Sequence, residues 1–82
     1  MTERFAVYIE GFALENPNLK LSGFYTKAGN LWGFAPYIGN ATVIEGRDAC
    51  FLFIKQLMEV NDNITHARAV KLKKRGKTYV NG

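Results

Sequence analysis

Eighty-two residues, 48% hydrophobic, 22% charged and 13% aromatic, suffice for one folded domain and leave no room for a second core. That composition excludes a disordered chain, and the single cysteine, Cys50, excludes an internal disulfide framework. The formal charge of +4 is held unevenly: residues 1–62 sum to −2 and residues 63–82 to +6, because no acidic residue follows Asp62.

Residues 4–10 alternate, with Phe5, Val7 and Ile9 on one face and Ala6, Tyr8 and Glu10 on the other, the pattern of a half-buried strand. Phe12-Ala13-Leu14 fits neither period. Asn16-Pro17-Asn18 is turn chemistry. Residues 20–26 read as a second strand and residues 31–34 as a third. Between them Lys27-Ala28-Gly29-Asn30 is a hairpin loop in which Gly29 and Asn30 can take positive φ. Gly33 inside the third strand suggests a bulge or a close backbone approach. Phe24, Tyr25, Trp32 and Phe34 should then make cross-strand contacts on both faces.

Pro36 ends regular pairing, residues 37–41 form a turn, and residues 42–44 a short fourth strand. Arg47–Val60, RDACFLFIKQLMEV, is the one stretch with helical periodicity. Its core arc is Ala49, Cys50, Phe53, Ile54, Leu57 and Val60. Phe51, Leu52 and Met58 are more apolar than a one-sided helix requires, so they are candidates for a protein interface. Residues 66–74 form the last long strand, with Val70 and Leu72 inward and Lys71 and Lys73 outward. Arg75-Gly76 can turn the chain so that residues 78–80 pair back. The expected fold is a single α+β domain over residues 1–82: β-β-β-β-α-β, an antiparallel sheet of four to six strands with one helix packed on one face.

Catalytic signals are thin. His66 is the only histidine and has no orienting partner nearby in sequence, and Cys50 sits on the apolar side of the helix, as free cysteines commonly do. One Cys and one His do not make a metal site, the carboxylates are scattered, and Gly29-x3-Gly33 lacks the phosphate-loop spacing. No catalytic, cofactor-binding or metal-binding residue is assigned, and no enzyme is expected. Gly33-Phe34-Ala35-Pro36-Tyr37-Ile38 echoes the RNP1 run of RNA-recognition motifs. The match fails, because Trp32 replaces the basic residue and Pro36 falls where a central strand needs a stacking aromatic.

Two binding signals stand out. Arg68, Lys71, Lys73, Lys74, Arg75 and Lys77, with Tyr79 beside them, could track phosphates and stack on a base, or meet an acidic protein. The plain alternative is a solvated strand whose lysines guard a sheet edge. The second signal is aromatic. Tyr8, Tyr25, Tyr37 and either Trp32 or Phe34 exceed what one helix can cover, so an aromatic sheet face is expected to meet a protein partner or a second copy of the chain. No apolar run reaches the about 18 residues of a membrane span, and the first residues lack the pattern of a secretory signal. A cytoplasmic setting without membrane contact is therefore expected.

Trp32-x5-Ile38-x2-Ala41-x2-Ile44, followed by Cys50-x2-Phe53-Ile54-x2-Leu57, resembles a pattern of small bacteriophage accessory proteins. There an aromatic hairpin leads through an Ile-x2-Ala turn and a short strand to one helix. The resemblance covers residues 24–58. It implies a non-catalytic protein that binds and inhibits or modifies a bacterial macromolecular machine, as anti-CRISPR proteins or regulators of transcription do. The partner would be a bacterial protein or ribonucleoprotein complex in the host cytoplasm. The resemblance carries no functional residue onto this chain. The alternative is a small nucleic-acid-binding module acting through the basic C-terminal hairpin.

Overall fold

Alternation in the first strand sets the centre of the sheet. The computed structural model describes residues 2–82, with β1 (Arg4–Phe12), β2 (Lys20–Ala28), β3 (Leu31–Ala35), a 3-10 turn (Ile38–Asn40), β4 (Ile44–Glu45), α1 (Arg47–Val60), β5 (Ile64–Arg75) and β6 (Thr78–Asn81). All pairings are antiparallel, in the order β3-β2-β1-β5-β6, and β4 pairs separately with the start of β1. The chain is an α+β domain with one helix on one face, as the sequence predicts.

Both hairpin turns have two-residue loops that begin with glycine. Gly29 has φ 61° and Gly76 φ 63°, while Asn30 keeps a negative φ, which is the glycine-first pattern of a type II′ turn. The expectation that Asn30 also turns left-handed is corrected. So is that for Gly33: β2 and β3 pair without a register shift, and the space around Gly33 is open. Close approaches fall instead at Gly11 and Gly23. An added Cβ would strike the Asn63 backbone oxygen at Gly11 and would lie 2.7 Å from the Ala35 oxygen at Gly23. The irregularity lies on β5, where Glu10 pairs with His66 but Gly11 with Ile64, leaving Thr65 as an extra residue.

The core lies between α1 and one face of the sheet. Phe5, Val7 and Ile9 of β1, Tyr25 of β2, Cys50 and Leu57 of α1 and Ile64 of β5 form it, with Trp32, Phe34, Phe53, Ile54, Ala67 and Ala69 packed around. The buried arc of α1 is narrower than the sequence suggests. Ala49 is exposed and Val60 is 79% exposed. Ala49 lies about 90° and Val60 about 70° around the helix from the Cys50–Leu57 line, and Val60 is also the last helical residue. The Asn61 side chain then caps the Leu57 carbonyl at 2.9 Å as the chain leaves the helix.

The opposite face is not simply open. Val70 and Leu72 do point inward, but away from α1, since they share the face of Ala6. Ala6 and Leu72 are both buried there, and the 3-10 turn lies against β6 and β2. Thr42 fastens this crossing segment to β2. Its N–H donates to the Tyr25 carbonyl and its Oγ1 accepts from the Lys27 N–H, both at 2.9 Å. The fourth strand is consequently displaced to Ile44–Glu45, opposite Arg4 and Phe5.

Candidate interaction surfaces

Strand register decides where each candidate side chain goes. On β5 and β6, Arg68 and Lys74 share the face of Tyr8 and Tyr79, whereas Lys71, Lys73 and Arg75 take the other. The six cations therefore do not form one stripe. Arg68 sits over the Tyr8 ring at 5.1 Å, and Lys71 pairs with Glu3 at 3.2 Å. Glu3 also meets Arg47 at 3.3 Å, and hydrogen bonds from Arg47 first and Lys71 second hold its carboxyl below the usual range. Lys73, Lys74, Arg75 and Lys77 remain, all exposed and without an ion pair among the described residues. They stand where the hairpin runs past β1, whose pairing with β5 ends at Lys71. Tyr79 is half-buried, with Arg4 above its ring at 5.9 Å, so it is held to the body of the fold.

The aromatic candidates divide by face. Tyr25 is 5% exposed, at 4.9 Å from Phe53 and 5.7 Å from Trp32, and burial pushes its hydroxyl pKa up. It belongs to the core, which corrects its assignment to an interface: Tyr25 shares the face of Val7, and α1 closes over both. Trp32 is half-buried, packed between Tyr25 and Phe34. Tyr8 is half-buried on the other face, edge-on to Phe24 at 5.3 Å. Tyr37 is 70% exposed, at the start of the 3-10 turn. Phe51, Leu52 and Met58 stay exposed on the outer side of α1. Phe51 and Met58 lie on one side of the helix, Leu52 lies about 100° further round, and Tyr8, Trp32 and Tyr37 are scattered.

Sequence reasoning missed a cleft of about 590 Å³ between the end of α1 and the β2–β3 hairpin. Tyr25, Trp32, Phe53 and Leu57 line it, with Lys27 and Glu59 at its rim. Only the face shared by Trp32 and Phe53 could have signalled it, and that face depends on which side the helix covers.

Cys50 and His66 lie on opposite sides of the sheet: Cys50 is wholly buried under α1, and His66 is exposed with its Nδ1 3.2 Å from Thr65 Oγ1. Burial pushes the Cys50 thiol above its ordinary value of 9.0. A folded-state pKa raised in this way favours the fold fully below the unfolded value and less as pH climbs past it. The thiol should therefore resist alkylation until the chain unfolds, and urea unfolding should show stability falling above about pH 9, less steeply in Cys50→Ala. A native thiol that alkylates at the rate of free cysteine would contradict the burial.

Among the described residues no group of three His, Cys, Asp or Glu side chains could hold a metal ion, and no helix is long and apolar enough to cross a membrane. The fold defines a small α+β domain with a helix-covered antiparallel sheet and a projecting basic hairpin. Comparison with protein-family models, curated proteins and solved structures finds no match to this chain.

Proposed function

We propose that this chain is a non-catalytic binding protein of the bacteriophage accessory kind, which docks on a bacterial macromolecular machine and inhibits or modifies it. The observation that carries the reading is the β5–β6 hairpin. It extends beyond its pairing with β1 and presents Lys73, Lys74, Arg75 and Lys77 around the Gly76 turn, with no acidic residue anywhere in residues 63–82. Such a tip suits a carboxylate-rich surface on the protein part of such a machine. The phage class and the cytoplasmic setting rest on the sequence resemblance over residues 24–58.

The same hairpin favours a second reading, direct nucleic-acid binding. Four phosphate contacts would give a slope of about −3.6 in log K against log salt on B-form DNA. One experiment separates the two. Wild type and the triple variant K73E/K74E/R75E are immobilised and challenged with bacterial lysate, with and without nuclease. A defined protein complex that survives nuclease and is lost from the variant supports the first reading. Recovery that vanishes with nuclease, together with the steep salt slope on purified duplex, supports the second. Equal recovery on wild type and variant removes the hairpin from both.

A further inference from the structure

The two edges of the sheet are guarded very differently. The β6 edge, Thr78–Asn81, is itself uncharged, but Lys73, Lys74 and Arg75 of the strand beside it and Lys77 of its turn set like charges close to a copy approaching there. The β3 edge is Leu31-Trp32-Gly33-Phe34-Ala35, with no charged residue, and Leu31 is 79% exposed. In the β2–β3 pair the two-residue loop makes Ala28/Leu31, Thr26/Gly33 and Phe24/Ala35 the hydrogen-bonded pairs. The backbone N–H and C=O groups of Trp32 and Phe34 must therefore point outward. The Thr42 bonds to Tyr25 and Lys27 on the far side of β2 confirm that alternation, and no turn or loop bond among the described residues takes up Trp32 or Phe34.

We infer that β3 pairs antiparallel with β3 of a second copy about a two-fold axis through Gly33, joining two sheets into one. The segment is self-complementary in that register. Trp32 and Phe34 each exchange two backbone hydrogen bonds with Phe34 and Trp32 of the second copy, and their rings, on the α1 side, meet across the junction. Gly33 faces Gly33 in a pair without hydrogen bonds, where strands come closest, and the room around it is empty. Leu31 faces Ala35 of the other copy. Centring the axis on Gly33 is the register that pairs all five residues, and none of the five pairs sets charge against charge. A second copy fits this edge better than an unrelated extended peptide, because the outward groups, the ring positions and the glycine repeat themselves under the two-fold.

Sedimentation of the wild-type protein over rising concentration, up to the millimolar range, should show mass doubling from 9.2 kDa. Gly33→Lys and Gly33→Asp should each remain folded by circular dichroism and be monomeric, and mixing them should restore the dimer. Hydrogen exchange on wild type needs no variant: Trp32 and Phe34 amides should gain protection with concentration, while the Gly33 amide, bonded to Thr26, is protected throughout. A wild type that stays monomeric overturns the proposal and leaves the edge to another extended chain. A dimer that persists in Gly33→Lys, a mixture that stays monomeric, or Trp32 and Phe34 amides indifferent to concentration overturns it equally.

Discussion

Replacing Gly11 with alanine is expected to destabilise the fold by about 3–5 kcal/mol, more than most single side-chain deletions in this chain. The added Cβ would run into the Asn63 backbone oxygen, with the Asn63 carbonyl carbon and Ile64 Cα each only 3.1 Å away. All three are backbone, so nothing flexible can swing aside. That oxygen also accepts the Phe12 N–H at 3.0 Å, and the buried Asn63 side chain donates to the Phe12 carbonyl at 3.1 Å. Overpacking of this kind costs about 1–3 kcal/mol, and each strained or lost hydrogen bond adds about 0.5–1.5. A chain of this size has about 4–12 kcal/mol in all, so the variant would populate unfolded molecules at ordinary temperature. Urea denaturation measures the loss. Gly33→Ala is the control: nothing lies within 4 Å of its Cβ, so it should change stability by less than about 1 kcal/mol. Similar losses for both would show that the close approach at Gly11 is not real.

The contrast between Gly11 and Gly33 shows what one-dimensional pattern conveys. Alternation of Phe5, Val7 and Ile9, the Gly29 and Gly76 loops and the periodicity of Arg47–Val60 are local, and each produced an element close to its expected bounds. A glycine's reason for being where it is depends on the strand beside it, and β5 lies more than fifty residues away from Gly11. The extra residue Thr65, whose Oγ1 donates to the Glu10 carbonyl at 3.2 Å, creates the crowding at Gly11. Nothing in the first strand announces it. The last strand accordingly begins at Ile64, two residues before the expected start, on the far side of that irregularity.

Faces were harder still than strands. Tyr25 and Tyr8 are equally plausible surface aromatics in the sequence, yet the register Tyr8↔Phe24 puts Tyr8 on one face and Tyr25 on the other, beneath Phe53. The same parity splits Arg68 and Lys74 from Lys71, Lys73 and Arg75. What was legible as six charges becomes a tip of four, one ion pair to Glu3 and one cation over Tyr8. The exposure of Phe51, Leu52 and Met58 was readable because the angular order of a helix's residues follows from its own sequence. The width of the buried arc, which leaves out Ala49 and Val60, is set by the sheet beneath it.

Ile9→Ala should cost about 3–5 kcal/mol, the upper part of the range for such truncations. Ile9 is wholly buried, and its two cross-strand neighbours on the α1 face are Gly23 and Ala67. Neither has side-chain length to move into the space left behind. Gly23 cannot be enlarged to fill it, because a Cβ there would lie 2.7 Å from the Ala35 oxygen. Relaxation would have to come from α1 settling onto the sheet. The helix is restrained at both ends, by the Gly46 N–H donating to the Glu3 carbonyl at 2.7 Å and by the Asn61 cap on Leu57. A cavity that the surroundings cannot close forfeits dispersion contacts on all sides, which is why the cost is high for a site of this size. Phe53→Ala removes a larger side chain, but Phe53 is half-buried at the edge of the cleft beside Tyr25 and Trp32, where water can enter, so its loss should be smaller, about 2–3 kcal/mol. Equilibrium unfolding of both variants ranks them. A loss below about 1 kcal/mol at Ile9 would mean that α1 is not seated over the middle of β1.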